Sequence, residues 1–152
     1  MRIVVQATPF DLGAEAAGFA GGKPGMGAIV TFTGVVRDNA NGTLERMGIE
    51  HYPGMTEKAI TQIAEQAKAR WSLGDVLVIH RHGELRPGEM IMMVATASRH
   101  RKDAFEAAEF LMDYLKSRAP FWKQEITRHG AEWVAAREED EDALGRWTPN
   151  QG

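Results

Sequence analysis

The chain contains no cysteine among its 152 residues, and this absence excludes several kinds of chemistry. Without thiols the protein cannot form disulfides, thiolate metal sites or a cysteine nucleophile. Any sulfur that takes part in a reaction of this protein must therefore be delivered by another molecule.

Long apolar runs and an excess of positive charge are also missing. No stretch approaches the roughly 20 apolar residues that cross a membrane, and the N-terminal MRIVVQATPF lacks the apolar run of a signal peptide. The net charge of −3 argues against a general nucleic-acid binder, since nonspecific phosphate binding relies on a broad excess of lysine and arginine. We expect a cytoplasmic protein that binds neither membranes nor nucleic acids and whose basic residues act locally.

The pattern of apolar residues predicts strands and helices along the whole chain. Strands are expected at 2–6, 28–36, 44–52, 76–82, 89–97, 121–127 and 132–136, and helices at 11–20, at 56–71 and in the segment after Ser98. This order favours an α+β fold with one mixed, largely antiparallel sheet and about three helices. Residues 1–147 are expected to form a single domain, with 148–152 as a C-terminal tail.

Finer features of the sheet also follow from the sequence. The β-forming run at 28–36 is expected to be a central strand buried on both faces, with a bulge or a close approach at Gly34. Residues 44–52 are expected to pair back on it, and 76–82 and 89–97 to form a hairpin. The acidic run at 138–142 predicts a solvated or frayed tail.

The segment SRHRKDAFEAAEFLMDYLKSRAPFWKQE, residues 98–125, concentrates the residues that suit chemistry. Apolar residues at helical spacing predict a helix that ends at Pro120, with a short strand after it. Lys116 falls at the edge of the apolar stripe of this helix, so its amine can enter a cleft. Phe110 and Tyr114 form a second apolar side, which implies that a further layer of the chain or a partner subunit covers the helix.

Basic residues cluster at both ends of this predicted helix. Arg99, His100, Arg101 and Lys102 precede it, and Lys116, Arg118 and Lys123 surround its end. Together they suit an anionic ligand, although any one of them could equally be an ordinary surface charge. Arg37, at the end of a predicted strand, could likewise bind a phosphate bidentately or lie in a mobile surface loop.

Two further patterns favour a structural interpretation. GGKPGMG, residues 21–27, lacks the Gly-Lys-Ser/Thr ending of a phosphate-binding P-loop and precedes a strand, so a plain connector is favoured. His80, His82 and Glu84 superficially resemble metal ligands, but strand histidines are more often held by hydrogen bonds. The sequence therefore predicts no metal site and no cofactor.

The segment 98–125 also resembles the signature region of the molybdopterin synthase catalytic (large) subunit family. FTGVVRD at 32–38, EHYPGMTEKA at 50–59 and VIHRHGEL at 78–85 are similar to further blocks of that family, in the family's order. The resemblance extends from the first predicted strand to Trp147 and implies an α/β hammerhead fold. It also implies a homodimer of this subunit with a small ubiquitin-like sulfur carrier at each end, a heterotetramer.

The reaction that this resemblance implies is a sulfur transfer in molybdenum cofactor biosynthesis. The substrate would be cyclic pyranopterin monophosphate, known as precursor Z, which becomes molybdopterin when two dithiolene sulfurs are installed. The sulfurs would arrive as a thiocarboxylate on the C-terminal Gly-Gly of the carrier. Delivery by a carrier fits a catalytic chain that has no cysteine.

Positions that match the family's motifs receive roles by resemblance. Lys116 and Lys123 match the two active-site lysines; Arg37, His100, Arg101 and Arg137 match the anion-binding set; Phe32 and Met112 match apolar walls of the pocket. The resemblance further suggests that His100, Arg101 and Arg137 act across a dimer interface.

The two lysines are expected to act differently from the arginines, because lysine can lose its proton and arginine effectively cannot. Lys116 is expected to lie nearest the acyl terminus of the carrier, and Lys123 to assist with protons and phosphate. The alternative hypothesis is a non-catalytic module whose basic pocket binds an anionic ligand or a peptide C-terminus. Only the enzyme requires two lysines near one electrophilic centre.

Overall fold

The structure is a computed structural model and describes residues 1–134 and 138–147. Its elements follow the order β1 (Arg2–Gln6), α1 (Leu12–Ala20), β2 (Ala28–Val35), β3 (Leu44–His51), α2 (Met55–Trp71), β4 (Asp75–Arg81), β5 (Gly83–Leu85), β6 (Met90–Ser98), α3 (Arg101–Ser117), β7 (Phe121–Thr127), β8 (Gly130–Val134) and α4 (Glu138–Gly145). Across the described ranges, no helix combines the length and the apolar character needed to cross a membrane.

The strands form two four-stranded sheets. Sheet A has the order β1-β4-β6-β2, with β1 parallel to β4 and the other neighbours antiparallel. Sheet B has the order β5-β3-β7-β8 and is antiparallel throughout. The predicted α+β class and the mixed, largely antiparallel pairing are confirmed, whereas the prediction of one sheet is wrong.

Two predicted strand relations are wrong for the same reason. β3 pairs with β5 and β7 instead of β2, and β2 is an edge strand of sheet A on which Thr31, Phe32 and Val35 are exposed. A run of β-branched and aromatic residues predicts a strand, but it does not say which strand will lie beside it. The predicted antiparallel pairing of β4 with β6 is confirmed, and β5 lies in the connection between them.

The central strands of sheet A, β4 and β6, are buried along nearly their whole length. Because side chains alternate between the two faces of a sheet, these strands contribute to two separate cores. Val78 packs with Ile60 of α2 and Leu111 of α3 in one core, and Ile79 packs with Phe19 of α1 in the other. The first core holds α3 against sheet A.

The second apolar side of α3 is covered within the chain. The Phe110 ring lies edge-on to Trp71 of α2 and to Trp147, with centroids 5.1 and 5.6 Å apart, and it also contacts Tyr114. The sequence left two coverings open for this side, a further layer of the chain or a partner subunit. The structure shows a layer of the chain itself. These residues consequently give no support to a dimer.

The acidic run expected to be a tail is part of a fourth helix, α4. Just beyond α4, Arg146 forms ion pairs of 2.9 Å with Glu109 and with Asp113 of α3. The indole nitrogen of Trp147 donates a hydrogen bond to the same Asp113. These contacts hold the end of the described chain on α3. With α4, the described residues form four helices, one more than the predicted number of about three.

Candidate active site

A cleft lies between the two sheets, beside the C-terminal end of α3. Its larger part, the outer cavity, has a volume of about 520 Å³ and is lined by residues of β2, α3 and β7, including Phe32, Lys116 and Lys123. Its smaller part, the inner cavity, has a volume of about 70 Å³ and is lined by the same three residues together with His80 and Met112. The two cavities form one continuous candidate site.

The inner cavity lies where one position of β2 has no side chain. Gly34 of β2 and His80 of β4 both pair with Met92 of β6, so the three residues form a row across sheet A. A Cβ atom at Gly34 would lie 3.3 Å from Met92 Cγ and 3.7 Å from the Phe32 ring, so a side chain there would fill this space. The register of β2 also shifts between Gly34 and Val35, which confirms the predicted bulge.

Lys116 and Lys123 reach the cleft from different elements. Lys116 is exposed in the last turn of α3, whereas Lys123 is half-buried on β7. Phe121, Lys123 and Glu125 are two residues apart on β7, so their side chains share one face of the strand. All three line the outer cavity. Two amines therefore border one space, as chemistry at a single electrophilic centre requires.

Arg37 lies at the edge of the cleft, two residues after the end of β2. It lines the outer cavity and a neighbouring cavity of about 620 Å³. The loop that follows is held by its own side chains: Asn39 donates to Thr43 Oγ1 at 2.7 Å, and Asp38 Oδ1 accepts from the backbone of Leu44 at 3.1 Å. An exposed guanidinium in this position can donate two parallel hydrogen bonds to a phosphate.

Phe32 and Met112 supply the apolar surface of the site. Phe32 is 42% exposed on the edge strand β2 and lines both cavities, and the half-buried Met112 lines the inner one. An exposed aromatic ring in the wall of a cleft offers a stacking surface to a planar ligand.

His100 and Arg101 do not join this cleft within the chain. His100 occupies the N-cap position of α3, Arg101 is its first residue, and both are exposed. From Arg101 to Lys116 the helix spans about 22 Å at 1.5 Å per residue. Arg137 lies outside the described residues. Of the predicted anion-binding set, the structure thus places Arg37 at the cleft and His100 and Arg101 at the other end of α3.

Glu125 and His80 line the cleft although the sequence did not single them out as site residues. Glu125 lies in the wall between the outer cavity and the cavity beside Arg37. Its spacing from Lys123 on a predicted strand is a signal that could have identified it. His80 reaches the inner cavity through the pairing of β4, β6 and β2, which are far apart in sequence, so no local signal pointed to it.

The surroundings of His80 keep its ring neutral. The ring is 3% exposed and stacks on Phe121, with centroids 3.8 Å apart and planes 18° apart. Nδ1 lies 2.8 Å from the carbonyl oxygen of Arg81, and because a carbonyl only accepts, the ring hydrogen is assigned to Nδ1. Burial above all lowers the pKa of His80 to about 3, with the charge of Lys123 adding to the effect.

The other two members of the metal-like trio have different partners. The ring of His82 lies tilted against that of His51, with centroids 4.1 Å and planes 32° apart. Burial, and next the charge of His51, lowers the pKa of His82. Glu84 forms an ion pair of 3.1 Å with Arg46. Within residues 1–134 and 138–147, no group of three or more His, Asp or Glu side chains is arranged to hold a metal ion.

Known proteins resemble this chain over most of its length. A family model described as MoaE protein matches residues 5–118. The molybdopterin synthase catalytic subunit of Cereibacter sphaeroides is 70% identical over 147 residues, which cover 97% of this chain and 100% of that protein.

Solved structures share the fold. The molybdopterin biosynthesis MoaE protein from Burkholderia ambifaria superimposes with a TM-score of 0.82 at 50% identity, covering 96% of this chain and 97% of that one. Molybdopterin synthase from Staphylococcus aureus gives a TM-score of 0.79 at 31% identity, covering 87% and 96% of the two chains. Since the family model matches most of the chain and these relatives cover nearly all of it, the chain belongs to the MoaE protein family.

Proposed function

We propose that this chain is the catalytic subunit of a molybdopterin synthase, a sulfurtransferase of molybdenum cofactor biosynthesis. It converts precursor Z to molybdopterin with two sulfurs, each delivered as the thiocarboxylate of a small ubiquitin-like carrier that ends in Gly-Gly. The observation that carries the proposal is the convergence of Lys116, Lys123 and Arg37 on one cleft with an exposed aromatic wall. Membership in the MoaE family and the absence of cysteine support it.

The dimensions of the cleft suit these reactants. Sites for small molecules usually measure roughly 300–1,000 Å³, and the outer cavity of about 520 Å³ lies in that range. The cavity beside Arg37 adjoins it and offers the carrier's extended tail a second approach. The inner cavity of about 70 Å³ is too small for a pterin.

Each side chain of the cleft has a separate task in this proposal. Arg37 binds the phosphate of precursor Z through two parallel hydrogen bonds. Lys116 lies nearest the acyl terminus of the carrier, and Lys123 transfers protons, since a lysine can lose its proton and an arginine effectively cannot. Phe32 and Met112 pack against the pterin ring.

The rest of the anion-binding set acts in a second copy of the chain. His100 and Arg101 are separated from Lys116 by about 22 Å of helix, which is too far for one small ligand to touch both ends. In a homodimer, His100, Arg101 and Arg137 of one copy complete the cleft of the other. With one carrier bound to each copy, the assembly is a heterotetramer.

A cytoplasmic location is part of the proposal. Its support is that both reactants are poor candidates for crossing a bilayer, because a phosphorylated pterin is charged and the sulfur donor is a folded protein. Cell fractionation followed by immunodetection of the chain tests the location.

The test of the function is an assay for dithiolene product after the purified protein is mixed with precursor Z and thiocarboxylated carrier. We expect product only when all three components are present. Binding of precursor Z or of the carrier tail without any product would instead favour the non-catalytic module. Robust product from free sulfide without the carrier would show that the carrier is not the required donor.

A further inference from the structure

The imidazole of His80 lines the inner cavity, and one of its two ring nitrogens is hydrogen-bonded to the backbone. Among the hydrogen bonds of the described residues, the ring takes part in one, between Nδ1 and the carbonyl oxygen of Arg81 at 2.8 Å. Nε2, at the other edge of the ring, keeps its lone pair. The ring is 3% exposed and lines the inner cavity with Lys116 and Lys123, so this cavity is the space from which we expect a partner to reach that lone pair.

The neighbours of His80 fix the direction of the ring. His80 pairs with Val5 of β1 on one side and with Met92 of β6 on the other, so its strand lies inside sheet A. The face of the ring stacks on Phe121 of sheet B, so the imidazole lies between the two sheets. Burial lowers the pKa of His80 to about 3, so the ring is neutral near pH 7 and Nε2 can only accept a hydrogen bond.

A neutral hydrogen-bond acceptor in a cavity that is also lined by two lysines suits a small hydrogen-bond donor. Ionised phosphates and thiocarboxylates present only acceptor atoms, and these suit the lysine amines but not a lone pair on Nε2. The volume of the inner cavity, about 70 Å³, excludes a pterin ring. It has room for a few water molecules, each of which occupies about 30 Å³ in the liquid. Water therefore fits both the size and the hydrogen-bonding character of the cavity.

We infer that the inner cavity holds the water that releases the carrier, and that His80 positions this water; the inference rests on the proposed function. Once the thiocarboxylate sulfur has bonded to the pterin, the terminal carbonyl carbon of the carrier is joined to that sulfur as a thioester. The water oxygen bonds to this carbon and the carbon–sulfur bond breaks. The sulfur stays on the pterin as a thiol, because it takes the second proton of the water, and the carrier leaves as a carboxylate.

The proton of the water has a defined destination. One O–H group donates to Nε2 of His80. The other donates to the amine of Lys123, which has given up its own proton in the preceding sulfur transfer and takes the water proton as the oxygen–carbon bond forms. Lys116, which the proposed function places nearest the acyl terminus of the carrier, lines the same cavity. His80 stays neutral throughout, so it directs the water without competing with Lys123 for the proton.

The experiment compares substitutions that keep or remove an acceptor at the ε position. His80→Gln places an amide oxygen near the position of Nε2, whereas His80→Asn ends short of it and can still donate to the Arg81 carbonyl. His80→Phe preserves stacking on Phe121 and removes both ring nitrogens. His82→Asn is the matched control, since His82 is the next histidine along the chain and is absent from the lining of both cavities.

Each variant is mixed with precursor Z and thiocarboxylated carrier, quenched in acid at intervals and analysed by intact-protein mass spectrometry. We expect His80→Asn and His80→Phe to accumulate the carrier–pterin thioester and to lose about 10- to 100-fold in turnover, with KM for precursor Z within about threefold of the wild type. His80→Gln and His82→Asn should turn over within about threefold of the wild type, without the adduct.

Wild-type turnover by His80→Asn and His80→Phe would overturn the inference, as would a loss of turnover without the thioester. Thermal melting gives the folded fraction used to normalise each rate. If these variants do not fold, nitrogen NMR of the histidine rings in the unsubstituted protein decides. A ring hydrogen on Nδ1 with bare Nε2 at pH 7 supports the inference, and a hydrogen on Nε2 overturns it. Failure of the unsubstituted protein to make any dithiolene would instead overturn the proposed function.

Discussion

The two ends of α3 carry similar residues in different surroundings. At its start, Arg99, His100, Arg101 and Lys102 are all exposed. At its end, Lys116 meets Lys123 and Phe32 around a cleft. In the sequence both ends are basic clusters next to one helix, yet about 22 Å of helix separate them. The comparison teaches that a basic cluster becomes a site only where other elements supply walls.

The walls arise at the end of α3 because the two sheets meet there. β2 of sheet A and β7 of sheet B both line the outer cavity, and Gly34 leaves room beneath α3. At the start of α3 the chain is packed closely instead. The Gly27 amide donates to the Ser98 carbonyl at 3.1 Å, and a Cβ at Gly27 would lie 2.5 Å from the carbonyl oxygen of Arg99. A ligand at this end needs a wall from another molecule, as the proposed dimer provides.

The largest effect is expected from Lys116→Arg, which preserves the charge at the cleft end but removes a group that can lose its proton. Turnover should fall at least about 100-fold, while binding of precursor Z changes little. Steady-state kinetics and calorimetric titration measure the two quantities. Lys102→Arg is the matched control at the exposed end and should behave as the wild type. Near-normal turnover by Lys116→Arg would reduce Lys116 to an electrostatic anchor.

Arg101→Ala tests whether the start of α3 serves the cleft of a second copy. Loss of a charged hydrogen bond to the ligand should weaken precursor binding by about 10- to 100-fold. We mix the Arg101→Ala chain with an inactive Lys116→Ala chain and assay at precursor concentrations too low to occupy the Arg101→Ala cleft. The mixture should show about a quarter of wild-type activity, because half of the dimers are mixed and one of their two clefts is intact. Mixed dimers that form without any recovery would place Arg101 outside the partner's cleft.

The lysines could be predicted from the sequence because their placement depends on local structure. The periodicity of α3, the stop at Pro120 and the strand after it set Lys116 and Lys123 close together, and the structure shows the same order. Sheet membership could not be predicted in this way. β3 has the alternation of a strand whether it pairs with β2 or with β7, and only packing in the folded chain decides.

Long-range contacts also explain the other corrections. An acidic run is typical of a solvated tail, but here it lies in α4, and the residues after it are held on α3 through Asp113, which contacts both Arg146 and Trp147. His80 belongs to the cleft because a row across three strands brings it beside Gly34. Neither contact can be recognised from the pattern of ten or fifteen consecutive residues.

Arg37→Ala sharpens the comparison at the mouth of the cleft. Loss of the proposed bidentate contact with phosphate should weaken binding of precursor Z by about 10- to 100-fold, since a hydrogen bond to a charged group contributes about 1.5–3 kcal/mol. Turnover at saturating precursor should change less, because the proposal assigns Arg37 to binding and proton transfer to Lys123. Arg86→Ala, at an exposed turn, is the control. Binding unaffected by Arg37→Ala would move the phosphate site elsewhere.

The smallest expected effect is a change in the free energy of unfolding in weak acid. It comes from the buried imidazole of His80, which lines the inner cavity at the cleft end of α3. Above pH 6.5, the ordinary pKa of histidine, His80 is mainly neutral in the folded and unfolded chain alike and adds no pH dependence. As the pH falls below that value, the unfolded chain binds a proton that the folded chain, with a pKa of about 3 at this residue, does not bind. The free energy of unfolding should therefore fall on acidification. The positive charges that face the ring, those of Lys123, His82 and His51, lower the pKa of His80 further. Lys116 also lines the inner cavity.

Urea unfolding between pH 6.5 and 5.5 measures this effect, and His80→Phe should remove about 1 kcal/mol of the loss across that interval. Asp75, Glu15 and Glu89 have pKa values lowered below the ordinary carboxylate range, so their stabilisation is lost only at lower pH and does not enter the interval. His129→Phe, at an exposed turn, should keep the full slope. An unchanged slope in His80→Phe would mean that the ring takes up a proton in the folded protein, which is incompatible with its assignment as a neutral acceptor in the cleft.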